Sequence, residues 1–417
     1  MSHKANGKDF RVRAVHCDFR SSDEEVYRAL RRATDPLERT WERLEKAGRI
    51  AIKFNQEYPP DDVVMHQGQR QQLVSDPVAR ATLRLLRERT RAELFVVDVG
   101  VSQVPEGGSR KEFNTLLPLL DEFEVPLFEG NDEPVRWVPV PGGGLMFQKY
   151  PVQQSVLDAD EFVSVQKMKN HLFMGVTLCM KNLFGLMPML PGGRPRTYYH
   201  HLVRLPYLLA DLGRLFNPAL NIIDALVCQA GEEWGKGEHP RICDTLVAGD
   251  QVTSTDACIT HLMGHDPRSD WLTPPFHRER NHLLIAANSG FGTVDLQQID
   301  FQTEAQAALG EFFTKKMDSN ERIISWRRTT VEQAMVYLDN QKQITDRYAG
   351  KYILMQDGEV KWADAGGDVS DHRARLSREN PGHGVWMKYI DPEESEGEQY
   401  SIYEQALEQI QSLRSSQ

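Results

Sequence analysis

The sequence predicts an α/β fold: two layered α/β domains with largely parallel sheets and a cleft between them, followed by a C-terminal helical and hairpin extension. Three observations predict it. Short apolar runs, RIAIKFN, AELFVVDVG and VPLFEG, alternate with amphipathic stretches in the first third of the chain. That alternation is the mark of crossover connections and a parallel sheet. A second set of runs, DEFVSVQ, LNIIDALVCQAG and DTLVAG, follows in the middle third. Beyond about residue 300 the pattern changes to amphipathic helices and a hairpin. The expected boundaries are 1–150, 151–300 and 301–417.

Each element has a local reason. Residues 1–20 read as a lead-in strand or ordered tail. Residues 22–47 open with SSDEE, which has capping character, and carry Pro36, which forces a break. Gly48 ends that helix and RIAIKFN follows as a strand. In VSDPVARATLRLLRERT, Asp76 suits the N-cap, Pro77 the first helical position, and Val78, Leu83 and Leu86 form an apolar face. AELFVVDVG is a buried strand, SRKEFNTLLPLLDEFE a helix bent by Pro118, and VPLFEG a strand. RWVPVPGGGLMFQKYPV reads as a hairpin turning at residues 142–144. GEEWGKGEHPR, with Glu232, Glu233 and His239, is a Gly-rich loop between two buried strands, and STDACITHLMG is a helix ending near Gly264. TEAQAALGEFFTKKM and TTVEQAMVYLDNQKQITDRY read as helices and KYILMQDGEVKWA as a hairpin turning at Asp357-Gly358. SDHRARLSRENPGHG reads as a surface loop, and an acidic run leads into a terminal helix. The extension is expected to serve as a cap or as a contact between copies of the chain.

Composition narrows the function. At 417 residues the chain can bury a large core, and 40% hydrophobic with 26% charged residues is ordinary for a globular protein. A net charge of −11 argues against nucleic acid as a partner. No apolar run approaches a membrane span and the first residues hold no apolar signal core, so a cytoplasmic protein without a membrane partner is expected. The five cysteines, Cys17, Cys179, Cys228, Cys243 and Cys258, form no Cys-x-x-Cys pair. They read as small buried hydrophobes, with a reactive thiol at Cys179 as the alternative.

Residues 167–201, KMKNHLFMGVTLCMKNLFGLMPMLPGGRPRTYYHH, set Lys167, Lys169, Lys181, His171, His200, His201, Arg194 and Arg196 among Leu, Phe and Met. Burying cations costs several kcal/mol each unless they meet partners, so such a stretch reads as the wall of a site. A buried helix with snorkelling lysines is the plain alternative. Lys169, Lys181, His171 and Asp224 are the candidate catalytic residues. Lys53, Asn55, Asn182, Arg194, Arg196 and Asp250 are candidate substrate contacts, and His171, His200, His201, Asp224 and Asp256 a candidate divalent-metal set. Asp224, Asp250 and Asp256 could instead cap helices, and adjacent His200 and His201 cannot share a helix face. Gly107, Gly108 and Ser109 precede a helix start that favours an anion, although an ordinary loop reads equally well.

KMKNH, TLCMKNLFG, the downstream His pair, NIIDAL with Asp224, VAGDQVTSTDA with Asp250 and Asp256, and AIKFN with Lys53 and Asn55 together resemble the domain of unknown function 362 family over roughly residues 45–300. The resemblance implies the fold outline and the site candidates but no settled reaction. Some relatives carry a ferredoxin-type cluster segment; this chain lacks its cysteines, so no such cluster is expected. The order of motifs is also similar in outline to the nickel-pincer lactate racemase family, which racemises 2-hydroxy acids between two α/β domains. Its Asp-x-Thr-Arg-Pro segment is replaced here by DVGVSQVP. The expected function is an enzyme acting on a small carboxylate- or phosphate-bearing metabolite by proton abstraction, isomerisation or lyase-type chemistry, with a divalent metal as the optional cofactor that the donor set above would hold. The alternative is a noncatalytic or redox-partner protein.

Overall fold

A computed structural model describes residues 8–56, 60–100, 109–190, 192–231, 237–314, 318–366 and 369–415. Gly107, Gly108, Glu232 and Glu233 lie outside the described residues. The chain forms two compact units. The first comprises residues 1–136, 151–188 and 212–315; the second comprises 137–150, 189–211 and 316–417.

The first unit is built on one nine-stranded sheet. Its strands are β1 (Phe10–His16), β2 (Arg49–Phe54), β3 (Glu93–Asp98), β4 (Leu127–Glu129), β5 (Glu161–His171), β6 (Gly175–Thr177), β7 (Leu220–Gln229), β8 (Pro240–Gly249) and β9 (Ile299–Thr303). They lie in the order β9-β1-β8-β7-β5-β2-β3-β4, with β6 folded back on β5. The run β7-β5-β2-β3-β4 is parallel throughout, whereas β8 is antiparallel to both neighbours. The α/β class and the largely parallel sheet are as the sequence predicts. The grouping differs: strands from 1–150 and from 151–300 share this one sheet instead of forming two. The reason is side-chain patterning. Val163 and Val165 of β5 continue the buried face made by Ile50 and Ile52 of β2, and together they cover an apolar core.

Helix α1 (Asp23–Thr34) and helix α3 (Asp76–Arg89) cover that face with Val26, Leu30, Leu83 and Leu86, and α2 (Glu38–Leu44) follows the break at Pro36. The expected cap of α1 forms as a capping box: Ser22 Oγ accepts from Glu25 N, and Ser22 N donates to Glu25 Oε2 at 2.8 Å. The N-cap of α3 is Ser75, one residue before the expected Asp76. Pro118 starts a helix, Leu117–Glu122, instead of bending one.

The second unit holds a three-stranded antiparallel sheet, β10 (Tyr352–Gln356) between β11 (Glu359–Asp364) and β12 (Trp386–Tyr389), with helices Asn320–Asp339 and Ser401–Ser415. The acidic run before the last helix is only partly solvated: Glu393 is exposed, but Glu396 and Glu398 are buried. Arg204 Nη2 lies 2.7 Å from Glu398 Oε1, and Lys388 Nζ lies 3.0 Å from Glu398 Oε2. Burial pushes the Glu398 carboxyl up, but Arg204 and Lys388 hold it down to about 2. Two further expectations fail. Residues 304–314 are not helical, because their backbone bonds go elsewhere: Leu309 N donates to Leu262 O, and Phe313 O accepts from Gly231 N. SDHRARLSRENPGHG carries a helix, Val369–Glu379, that buries Val369 and partly buries Leu376 behind its charges.

Candidate functional site

Strand β5 creates the site. Its partner β2 ends at Phe54, opposite Val165, and β5 runs on to His171. With a period of two, Lys167, Lys169 and His171 fall on one face of this extension. The neighbouring β7 pairs Asp224 with Lys167 and then bulges before pairing Gln229 with Lys169. In parallel sheets ligands sit at the carboxyl ends of strands, and these residues occupy that edge.

Exposure separates this edge from an ordinary charged surface. Lys167 is 0% exposed, Lys169 2%, His171 2%, Lys53 5% and Lys181 7%. Lys167 Nζ meets Asp224 Oδ2 at 2.8 Å, and Ser75 N and Oγ donate to the same oxygen at 2.8 Å each. Asp224 thus fastens the start of α3, where the helix dipole favours a carboxylate. Its Oδ1 accepts from Leu226 N, so both oxygens are engaged and its expected catalytic role gives way to an anchoring one. Lys53 pairs with Asp98 at 3.0 Å and also donates to Phe54 O. Lys169 Nζ donates to Gln72 O at 3.1 Å, within a buried stretch that also brings Gln71 against Gln229. The glutamines of QRQQL give no sequence signal for this position, because buried and exposed glutamines look alike in a single chain.

The KNLFG step has a role at each polar position. Helix α4 (Cys179–Asn182) carries Lys181, whose ammonium lies 4.8 Å from the Phe184 ring centre. Asn182 Nδ2 donates to Lys53 O, Ser164 Oγ and Val165 O, stitching the ends of β2 and β5. Its donors are therefore spent on the protein, not on a substrate. At Gly185 a Cβ would fall 2.5 Å from Lys53 Cε, so a larger residue would push the lysine from its place beside Asp98. Asp256, on helix α6 (Val252–Leu262; Arg204–Phe216 is α5), accepts from Cys179 N at 3.0 Å and Met180 N at 2.7 Å. It holds the start of α4 and so positions Lys181. Burial pushes its carboxyl up to about 8 against the pull of those two N–H groups.

His171 Nδ1 accepts from the backbone N–H of Phe173 and of Met174, each at 3.0 Å. That geometry puts the ring proton on Nε2, making it a donor and leaving no lone pair there for a metal. Asp224 and Asp256 are used as described, and His200 and His201 belong to the second unit. His201 lies against Val385 O at 2.8 Å, and burial with the charges of Arg373 and Arg204 lowers its pKa to about 3. Among the described residues no three His, Cys, Asp or Glu side chains come together as a metal-holding group.

Arg194 and Arg196 are also in the second unit. Arg194 is bound to Glu396 at 2.8 Å and stacked over Tyr389 at 4.0 Å, while Arg196 opens the short helix Arg196–Tyr199. Asp250 sits at the opposite edge of the sheet, because β8 runs antiparallel and sets Gly249 beside Asn221. There it accepts from Arg11 N and pairs with Arg39 at 3.1 Å. Asn55 follows β2 directly, and its backbone joins Val165 and Val74. The Cys179 thiol is buried 3.4 Å from Ile222 O, and burial pushes its pKa well above the usual range, which makes it inert rather than reactive. Sequence reasoning missed His282, a buried imidazole near Lys181 and His171. In the sequence FHRERNHLL points to no element or role, and nothing local marks the ring as buried.

Fold and site together define an α/β protein with a buried cluster of lysines at the carboxyl edge of its sheet. The chain belongs to the family described as domain of unknown function DUF362, whose model matches residues 50–261. It is 27% identical over 161 residues to a thylakoid-associated protein of Synechocystis sp., a match covering 37% of this chain and 47% of that protein. The matched region thus spans less than half the length of that relative. Among solved structures, the lactate racemase apoprotein from Thermoanaerobacterium thermosaccharolyticum gives a TM-score of 0.32 at 15% identity, covering 55% of this chain and 52% of that one. Among the described residues no helix is long and apolar enough to cross a membrane.

Proposed function

We propose that the protein is an enzyme acting on a small anionic metabolite, a carboxylate or a phosphate, held at the carboxyl edge of the first unit's sheet. The single observation that carries this reading is the burial of Lys169 and His171 on β5 and of Lys181, with Lys181 and His171 both acting on the buried His282 ring. Removing an ammonium from water costs several kcal/mol even where it is paired, so a cluster of such groups at a sheet's carboxyl edge reads as a site rather than as plain core. Lys181 is the group we assign to the ligand's charge. Lys169 and His171, two residues apart on one strand, are the groups we assign to proton transfer. Five buried, unpaired cysteines support a cytoplasmic setting for this activity.

The test is a thermal-shift series of small acids and phosphates at two ionic strengths, on the native chain and on Lys181→Met. Millimolar anions are expected to raise the native melting temperature, with only a mild loss in salt because enclosed charges are poorly screened. Lys181→Met should keep the fold and lose the shift. Stabilisation by neutral or cationic compounds alone would refute the reading.

A further inference from the structure

We propose that His282 is a ligand-contacting residue of this site, and that the ligand is a small oxyanion bringing an O–H group of its own. The inference rests on the anion-site reading above and adds the ligand's hydrogen-bonding class to it.

The hairpin joining β5 to β6 is crossed by the segment leading to His282. Gly175, opposite His171 in the ladder and at φ +78°, lies so close to Pro275 that a Cβ would stand 2.6 Å from Pro275 O. Arg278 stacks over the Phe173 ring at 4.5 Å. His282 then opens the helix His282–Asn288, 0% exposed, with its ring 6.5 Å from that of Phe276. Among the described residues neither ring nitrogen has a hydrogen-bond partner. The charged and titratable groups acting on the ring are Lys181 and His171, and burial first, then those two, lower its pKa to about 3.

His282 is therefore a neutral imidazole, with one N–H to donate and one lone pair to accept. Buried polar groups left unmet are costly, and native proteins seldom keep two on one ring. An anion with acceptor oxygens alone meets the N–H and leaves the lone pair empty. An oxyanion with an O–H meets both kinds of demand while its charge meets Lys181. A site built this way discriminates against the isostere that lacks the hydroxyl.

Calorimetric titration of the full chain with matched anions tests this: inorganic phosphate against sulfate, and hydrogen carbonate against formate. Each O–H-bearing anion is expected to bind roughly tenfold or more tightly than its counterpart. His282→Phe should bring the ratio close to one while sulfate still binds, and His282→Gln, which keeps a donor and an acceptor, should retain part of the preference. Equal binding of phosphate and sulfate by the native chain, or an unchanged ratio in His282→Phe, would overturn the inference and leave the anion site standing. Failure of every anion to bind would overturn both. If His282→Phe does not fold, the native ratio is read with the ring ¹⁵N shifts of His282 on phosphate addition. Shifts that stay fixed at saturation overturn the proposal.

Discussion

Asp224 and Lys167 face each other with no solvent access, and their geometry decides which of the charged residues are structural. One Asp224 oxygen receives the ammonium and both Ser75 donors. Removing one partner of such a pair leaves an uncompensated buried charge. Asp224→Asn is expected to destabilise the protein by about 3–5 kcal/mol in denaturant unfolding, and an unchanged midpoint would contradict the anchoring role. The sequence made Asp224 conspicuous at the end of an apolar strand but could not assign it, since Ser75 lies 149 residues away. Lys169 and Lys181 stood out in the sequence because a lysine set among Leu, Met and Phe must either snorkel to water or meet a charge inside, and both are buried. Arg194 stood in equally apolar company, yet its partner Glu396 lies 202 residues on, in a run that looks solvated.

Elements were more legible than their grouping. The strands at AIKF, LFVVD and NIIDALVCQ and the helices at 23–34 and 76–89 follow from period and caps, which are local. The single sheet was not legible, because pairing β5 with β2 joins segments more than a hundred residues apart, a matter of face matching rather than of any local signal. Residues 304–314 illustrate the opposite error. Their composition favours helix, but Leu309 and Phe313 spend backbone groups on Leu262 and Gly231, and tertiary bonds outweigh weak propensity. KNLFG was legible as a motif, while the work of Asn182 on the strand ends and of Gly185 on Lys53 emerges only when the strands are side by side.

At the scale of the whole molecule, two buried histidines, one in each unit, link stability to pH. Burial with Lys181 and His171 lowers His282 to about 3, and burial with Arg373 and Arg204 lowers His201 to about 3. The unfolded chain binds these protons near the ordinary value of 6.5. The unfolded state therefore holds more protons between those limits, so stability is fully present above 6.5 and is lost as pH falls toward 3. Each histidine contributes about 1.4 kcal/mol per pH unit in that window. Asp256, whose carboxyl burial pushes up to about 8, works in the opposite sense over the same window, so the test is a difference between variants: His282→Gln should remove one histidine's share of the loss of stability between pH 7 and 4, and an unaltered slope would mean that His282 binds its proton as readily folded as unfolded.

The central claim is that Lys181 and its neighbours form a buried anion site, and an anomalous difference map from crystals grown with arsenate tests it most directly. Arsenate keeps phosphate's charge and O–H and adds an anomalous scatterer. The account predicts a peak within hydrogen-bonding reach of Lys181 Nζ, absent from Lys181→Met crystals. Peaks confined to exposed arginines, with none beside Lys181, would contradict it.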